Sequence, residues 1–484
     1  MIFRMSTITR ICVALIEAAS VFESCLGLVQ MIGKAVGWDH SGFILTGTFN
    51  NPGPYGGFVA VGIAVAVGQI ALKHDWKSEN LLDKGELLLS ILTLVLGILV
   101  LPASFSRAGW LALAVSLIVL GFWEFHWRDF IKRHRLVTVL AVSMVLLACI
   151  GAFALKPKSA LGRLHIWRIE CRAIAEKPWL GHGHGSVLGV YGETQEKFFR
   201  EKEHNAIVTE VAGCPEYAFN EYLKIGVEHG LPLMLAVVAV IALAVSSLLI
   251  TKRSSLAYGM IALCVFSFFS YPLSLPQFRV ILMLFFIASL PNVGFMRWLQ
   301  GCAVLSLLGA SVFYVYPKEK QSRVMLEECR LLGIDVISNH DEQAVERLSD
   351  LYSVLKKNYR YLYDYGYSLM QVGKYNDALK ILSEGAAISS DPMFRNMIGK
   401  CYQALGDFIA AEKEYNRAHF MVPSRLYPHV LLMEMYVLNG KNEEAMNIGH
   451  RIISTPVNVD NQNMMDLLLR AQSCLDTLEI QIAK

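Results

Sequence analysis

The chain has 484 residues, 54% of them hydrophobic and only 18% charged, with a mean hydropathy of +0.42. Soluble globular proteins carry roughly 25% charged residues, so this apolar excess excludes a wholly soluble enzyme. A net charge of +3, from 44 basic and 41 acidic residues, excludes the strongly basic profile of a nucleic-acid binder. Ten cysteines without a CxxC pair or a His/Cys metal spacing indicate neither a zinc scaffold nor a disulfide framework.

Nearly all long apolar runs lie before residue 317. A hydrocarbon core of about 30 Å needs roughly 17–25 mostly apolar residues. By that measure the chain has spans at 11–33, 58–72, 87–103, 108–123, 136–155, 231–250, 256–273, 279–296 and 299–316, nine in all, give or take one. Glu17 and Glu23 interrupt the first, which is therefore expected to turn them toward a bundle interior. No cleavable signal peptide is apparent. Orientation follows the Lys/Arg bias of short loops. Arg4, Arg10, Lys73, Lys77, Lys84, Arg128, Lys132, Arg133, Arg135, Lys252, Arg253 and Arg297 fall on one side, and only Lys34, Arg107 and Arg279 on the other. The basic-rich side is the cytoplasm, which places the N-terminus inside and the long loop 156–230 and the C-terminal region outside.

From about residue 340 a longer period overlies helical patterning. Gly373, Gly406 and Gly440 recur at spacings of 33 and 34, and so do Ala378, Ala411 and Ala445, and Leu369, Tyr402 and Tyr436. In each unit a helix is expected to end at the Gly and a second to pack closely at the Ala. The pattern resembles the tetratricopeptide repeat, without its Trp. The expected fold is thus all-α: a polytopic transmembrane helical bundle, residues 1–317, and a C-terminal α-solenoid, residues 318–484. Tyr359, Tyr361, Tyr363, Tyr365 and Tyr367 are read as filling the inter-repeat core rather than as a ligand platform. Repeat arrays bind partners or pack on a neighbouring domain.

Three polar regions fall on the outer side. TGTFNNPGPYGGF, from Thr46 to Phe58, contains Asn50 and Asn51, and its two Pro argue for turns rather than helix. Ser104-Phe105-Ser106-Arg107 opens a membrane helix with a guanidinium at the headgroup level, where it can snorkel or grip a diphosphate bidentately. The loop 156–230 holds GRLHIWRIECRAIAEKPWLGHGHGSV, in which Arg163, Trp167, Glu170 and Ile174 share one helix face and His165, Arg168 and Arg172 another. His182 and His184 lie two apart in the glycine-rich turn, but no further ligand is evident from spacing, so no metal site is expected there. Cys171 and Cys214 lie in the same loop, and spacing leaves a disulfide between them undecided. The loop closes with EYAFNEYLKIGVEHGLPL, where Glu221 and Glu228 share a face near the membrane surface.

TGTFNNPGPYGGF, SRAGW, GRLHIW…KPWLGHGHGS and FNEYLKIGVEHGL, in this order, resemble the bacterial O-antigen ligase family, whose superfamily includes O-antigen polymerases and protein O-oligosaccharyltransferases. With the repeat tail, the chain resembles the version common in Bacteroidetes. The resemblance implies a multi-span inner-membrane enzyme with a periplasmic loop. Such an enzyme moves a glycan from undecaprenyl diphosphate to lipid A–core, a growing glycan or a protein hydroxyl, with no cofactor and no metal. On this chain it implies that Arg107 and Arg163 hold the diphosphate, with Arg279 in a lesser share of that role. It also assigns Asn50, Asn51, Trp167, Asn220 and Glu228 to substrate binding. Family members usually have more spans upstream, so an N-terminally shortened version is expected.

The family's His-Asn-x-Tyr/Phe-Leu motif reads Phe219-Asn220-Glu221-Tyr222-Leu223 here, with Phe where the suspected base stands. The role passes to Glu221, His204, Glu228 or His229, and Glu221 is favoured because a partly desolvated carboxyl titrates closer to neutral pH. The competing class is a non-catalytic membrane scaffold whose repeats recruit partners for surface-glycan assembly. A transporter, with Glu17 and Glu23 lining a polar path, is a third.

Overall fold

A computed structural model describes residues 7–37, 42–72, 80–125, 127, 132–133, 157–201, 204–251, 253–291, 293–339, 341–454 and 462–482. In chain order the helices are α1 (Thr7–Ala35), α2 (Pro52–Leu72), α3 (Leu81–Val100), α4 (Arg107–Glu124), α5 (Pro157–Glu176), α6 (Val187–Glu201), α7 (Ala206–Val211), α8 (Glu221–His229), α9 (Leu231–Ile250), α10 (Ser254–Phe269), α11 (Pro276–Ser289) and α12 (Gly294–Ala310). They continue as α13 (Tyr316–Asn339), α14 (Glu342–Leu355), α15 (Tyr359–Gln371), α16 (Tyr375–Ile388), α17 (Met393–Ala404), α18 (Phe408–Met421), α19 (Tyr427–Leu438), α20 (Asn442–Ile453) and α21 (Gln462–Ile482). Among the described residues there is no strand. Two compact units result. The first comprises Met1–Pro157, Phe219–Ile225 and Pro232–Pro317, and the second Lys158–Ala218, Gly226–Leu231 and Lys318–Lys484.

The first unit is a membrane bundle. Among the described residues, five helices are long and apolar enough to cross a bilayer: α1, α2, α4, α9 and the helical run Gly294–Asn339. The shorter α10 and α11 are also apolar. Eight of the nine expected spans overlap described helices, although 256–273 runs past the end of α10 and 279–296 past the end of α11 across the break before α12. The ninth, 136–155, lies outside the described residues, as do Arg4, Lys73, Lys77, Arg128, Arg135 and Lys252. The expectation of turns at Asn51-Pro52 and Gly53-Pro54 is corrected: α2 begins at Pro52, because a proline is accommodated in a first helical turn where its missing N–H costs nothing. α2 is buried from Pro54 to Ala66 on every side and forms the centre of the bundle. α9, by contrast, buries only Ala244 and Leu248, the pattern of a helix whose partner is lipid. Glu17 and Glu23 face inward, 1% and 4% exposed. Glu17 accepts Ser90 Oγ at 2.9 Å, and Glu23 accepts Thr48 Oγ1 at 2.5 Å.

The second unit joins the repeats to most of the long loop. Gly373, Gly406 and Gly440 have φ of 76°, 83° and 69°, the left-handed closure that ends a helix. The residue after each glycine donates its N–H back to Leu369, Tyr402 or Tyr436, 2.9 Å in all three cases. The positions that recur in the sequence are therefore the partners of one repeated hydrogen bond. Ala378, Ala411 and Ala445 are fully buried where the second helix of each pair packs. The tyrosine run is helical, as the repeat register requires. Tyr361 is buried and donates to Leu348 O at 2.6 Å, and Tyr363 meets the Phe394 ring edge-on at 5.6 Å.

α6 packs on α16 and α18 of the array. Gln195 Nε2 donates to Met421 O, Arg417 Nε donates to Glu196 Oε2 at 3.0 Å, and Ser390 Oγ donates to Pro215 O at 2.8 Å. Gly189 carries this contact, since a Cβ there would overlap the Ala387 carbonyl, which as backbone cannot move aside. Gly189→Val is accordingly expected to weaken the docking of α6 by about 3 kcal/mol. Amide exchange across 187–201 in the full chain would then speed up roughly a hundredfold, and unchanged exchange would show that this packing is not the constraint.

The array also carries a pH response. The His419 and His429 rings meet at a tilt of 31° with centroids 4.0 Å apart. Burial first, then His429 and Arg451, hold His419 down to about 3; burial and Arg451 hold His429 down to about 4. Both folded values lie below the unfolded 6.5, so their contribution is complete above pH 6.5 and is lost as the pH falls toward 4 and 3. At pH 5 that loss is about 2 kcal/mol for each ring. His429→Phe keeps the aromatic contact and should remove about half of the acid destabilisation between pH 7 and 5, read from urea midpoints by circular dichroism.

Candidate active site

Four distant segments meet at one end of the membrane bundle. The 46–53 loop is held by Glu23, which accepts the Thr48 N–H at 3.1 Å, and by Gln30, whose Oε1 accepts the Thr46 and Gly47 N–H groups at 2.8 Å. Ser106 Oγ donates to Gly53 O at 2.8 Å and, as the N-cap of α4, accepts the Gly109 N–H at 3.3 Å. Gly109 lies directly on the Gly56 backbone, where a Cβ would come within 2.8 Å of a carbonyl. This close approach seats the first residue of α4, Arg107, beside the loop. Arg107 is half-buried.

The third segment is the turn between α10 and α11. Asn51 Nδ2 donates to Tyr271 Oη at 3.2 Å, and Gln277 Nε2 donates to Thr48 Oγ1 at 3.2 Å. The fourth is the start of α8. Asn220 is its N-cap, accepting the Tyr222 and Leu223 N–H groups at 3.0 Å. Glu221 is 4% exposed, and its Oε1 accepts the Leu273 N–H at 2.7 Å. The Phe219 ring meets Tyr271 edge-on at 5.5 Å. Where a histidine was expected in the motif, an aromatic contact now holds the turn.

Asn50, Phe105 and Phe219 have φ of 55°, 47° and 53°, and among the described residues no other non-glycine has a positive φ. A left-handed conformation costs a non-glycine residue of order 1–3 kcal/mol and persists where surrounding structure imposes it. Each lies one or two residues ahead of a site side chain: Asn51, Arg107 or Glu221. Arg279 is exposed on α11, two residues beyond Gln277 and so on a different side of that helix.

Arg163, Trp167 and Glu228 belong to the second unit. Arg163 and Trp167 are half-buried on α5, on the face whose Glu170 and Ile174 are fully buried. Neither Glu170 oxygen has a hydrogen-bond partner, and burial pushes its carboxyl well above the ordinary range. His165 leaves the expected basic face: it is buried, 2.9 Å from Gln195 Oε1, and burial lowers its pKa. His204 stacks on Phe198 at 4.0 Å, with Nε2 2.8 Å from the Phe198 carbonyl. Cys171 and Cys214 are both free thiols. Glu228 instead meets two histidines. Its Oε2 lies 3.6 Å from His184 Nδ1 and 3.9 Å from His229 Nε2.

The spacing of motifs misses Tyr271, Gln277 and Thr48, because two of them fall inside or between expected spans. Tyr271-Pro272 and Leu275-Pro276 are the signal, since paired prolines break a helix and open a turn.

Fold and site together define a multi-pass helical membrane protein with its polar, strained loops gathered at one end of the bundle. Residues 92–238 match the family model described as O-Antigen ligase, so over this segment the chain is similar to the O-antigen ligase superfamily. The match covers less than a third of the chain. It includes Arg107, Arg163, Trp167, Asn220, Glu221 and Glu228 but not Asn50, Asn51 or Arg279. No curated protein and no solved structure matches the chain.

Proposed function

We propose that the protein transfers an oligo- or polysaccharide from undecaprenyl diphosphate to an acceptor hydroxyl, with lipid A–core as the acceptor, on the periplasmic face of the inner membrane. The observation that carries this reading is the convergence of the three left-handed residues, Asn50, Phe105 and Phe219, on one hydrogen-bonded end of the bundle. Two of these lie within the matched O-antigen ligase segment. Glu221 takes the acceptor's proton while its oxygen attacks the anomeric carbon. The bond from that carbon to the diphosphate oxygen breaks, and undecaprenyl diphosphate leaves. Arg107 and Arg163 bind the diphosphate and stabilise its growing negative charge; Asn50, Asn51, Trp167, Asn220, Glu228 and Arg279 contact the glycan or headgroup. The Leu273 N–H on Glu221 Oε1 fixes the carboxylate's direction. The repeats are tetratricopeptide-like and periplasmic, and their packing against α6 supports a role in positioning the long loop as well as in binding protein partners.

Deleting the gene and examining surface glycans and glycoproteins tests the reading. Loss of capped lipopolysaccharide is expected. Shortened but attached chains would mean a polymerase, and unmodified proteins a protein transferase. Unaltered glycans on every carrier would favour the scaffold. A reporter fused after residue 484 tests orientation, and a cytoplasmic signal would overturn it.

A further inference from the structure

His184, Glu228 and His229 come together in the second unit although 44 residues separate the turn from the helix end. Their ligand atoms all lie within 4.8 Å of one another. The turn is stitched to the helix end by backbone: His182 N–H donates to Val227 O at 2.8 Å, Gly183 N–H to Glu228 O at 2.9 Å, and Leu231 N–H to Pro178 O at 2.7 Å. The two imidazoles stack with centroids 5.7 Å apart. Glu228 is 4% exposed, and its Oε1 has no hydrogen-bond partner. A buried carboxylate oxygen left this way is costly unless something outside the protein satisfies it.

We propose that His184, Glu228 and His229 bind one divalent transition-metal ion of the zinc class. Two imidazole nitrogens and the Glu228 carboxylate, through Oε2 or through both oxygens, form a donor set that hard cations such as Mg²⁺ and Ca²⁺ do not prefer. Tetrahedral ligation at roughly 2.0–2.2 Å sets donors about 3.4 Å apart. The observed 3.6 and 3.9 Å between the carboxylate and each imidazole are close to this, and the separation between the two imidazoles, within 4.8 Å, closes as the exposed His184 side chain turns toward the ion. Three protein ligands leave at least one position for water, and the His184 side chain, 83% exposed, gives an ion a path in from solvent. Bound there, the metal would pin the glycine-rich turn to the end of α8. The site rests on geometry alone; it gives Glu228 a metal in place of the glycan contact proposed above and leaves the rest of the proposed transfer reaction unchanged.

The full chain, purified in detergent and stripped with a chelator, is titrated with Zn²⁺ and, for its visible spectrum, with Co²⁺. One equivalent per chain is expected, with Co²⁺ bands of four- or five-coordinate intensity and no competition from excess Mg²⁺. His184→Ala and His229→Ala should each weaken Zn²⁺ binding at least about tenfold. Zn²⁺ should raise the melting temperature of the unaltered protein but not of His184→Ala, whose exposed position leaves folding intact. Absence of a bound equivalent, displacement by Mg²⁺, or undiminished binding in both variants would overturn the site. None of these readouts uses glycan transfer, so such a result would leave the proposed function standing.

Discussion

Glu221→Gln is expected to lower glycan transfer by about 10²–10⁴-fold, the usual worth of a positioned general base, with the protein still folded. The substitution separates the proposed proton-accepting role of the carboxylate from its structural one. Its Oε1 accepts the Leu273 N–H at 2.7 Å and so ties α8 to the turn between α10 and α11. A glutamine carbonyl accepts that same N–H, so the tie survives, but an amide cannot take a proton from an attacking hydroxyl. Glu221→Ala loses both and strands the Leu273 N–H, a further cost of about 1–3 kcal/mol. The pair of variants is therefore read on two axes, transfer from a polyprenyl-diphosphate-linked glycan and thermal stability in detergent. Full transfer by Glu221→Gln would remove the residue from the mechanism and leave it as a structural link.

Arg107→Ala should cost about 10²–10³-fold in transfer, the range found when one group stabilising developing negative charge is removed. Structure limits the collateral damage. Ser106, not Arg107, caps α4 and holds Gly53 O, so both hydrogen bonds remain in the variant. Arg107→Lys keeps the charge but loses the planar fork that grips two phosphate oxygens at once, and should recover only part of the activity. Arg163→Ala is expected to fall in the same range. A membrane scaffold tolerates both alanine variants, so normal surface glycan in cells carrying either one decides against the enzyme.

The parts of this architecture legible in the sequence are those written in contiguous residues. Span length is a property of one apolar run, which is why 108–123 and 231–250 lie on α4 and α9 almost residue for residue. The repeat is equally local. Gly373, Gly406 and Gly440 close their turns with hydrogen bonds five residues long, to the positions that recur with them. Where local reading failed, a competing local rule was at work. Pro52 read as a turn residue, yet proline also opens a helix, and α2 starts on it. His165 read as part of a basic face, yet its ring is drawn into the apolar cluster of Phe198 and Phe199.

By itself, then, the sequence determined that the chain is helical and multi-pass, that it ends in repeats, and which motifs carry polar groups outside the apolar runs. Hydrophobic length and helical period act over tens of residues or fewer, so they need no partner to be recognised. Only the tertiary structure decided which motifs face one another. Asn51 finds Tyr271 across 220 positions, Gln195 finds Met421 across 226, and Glu228 finds His184 rather than a distant arginine. Such pairings depend on how helices stack and on where a glycine lets two backbones touch. No periodicity in one segment encodes the address of its neighbour.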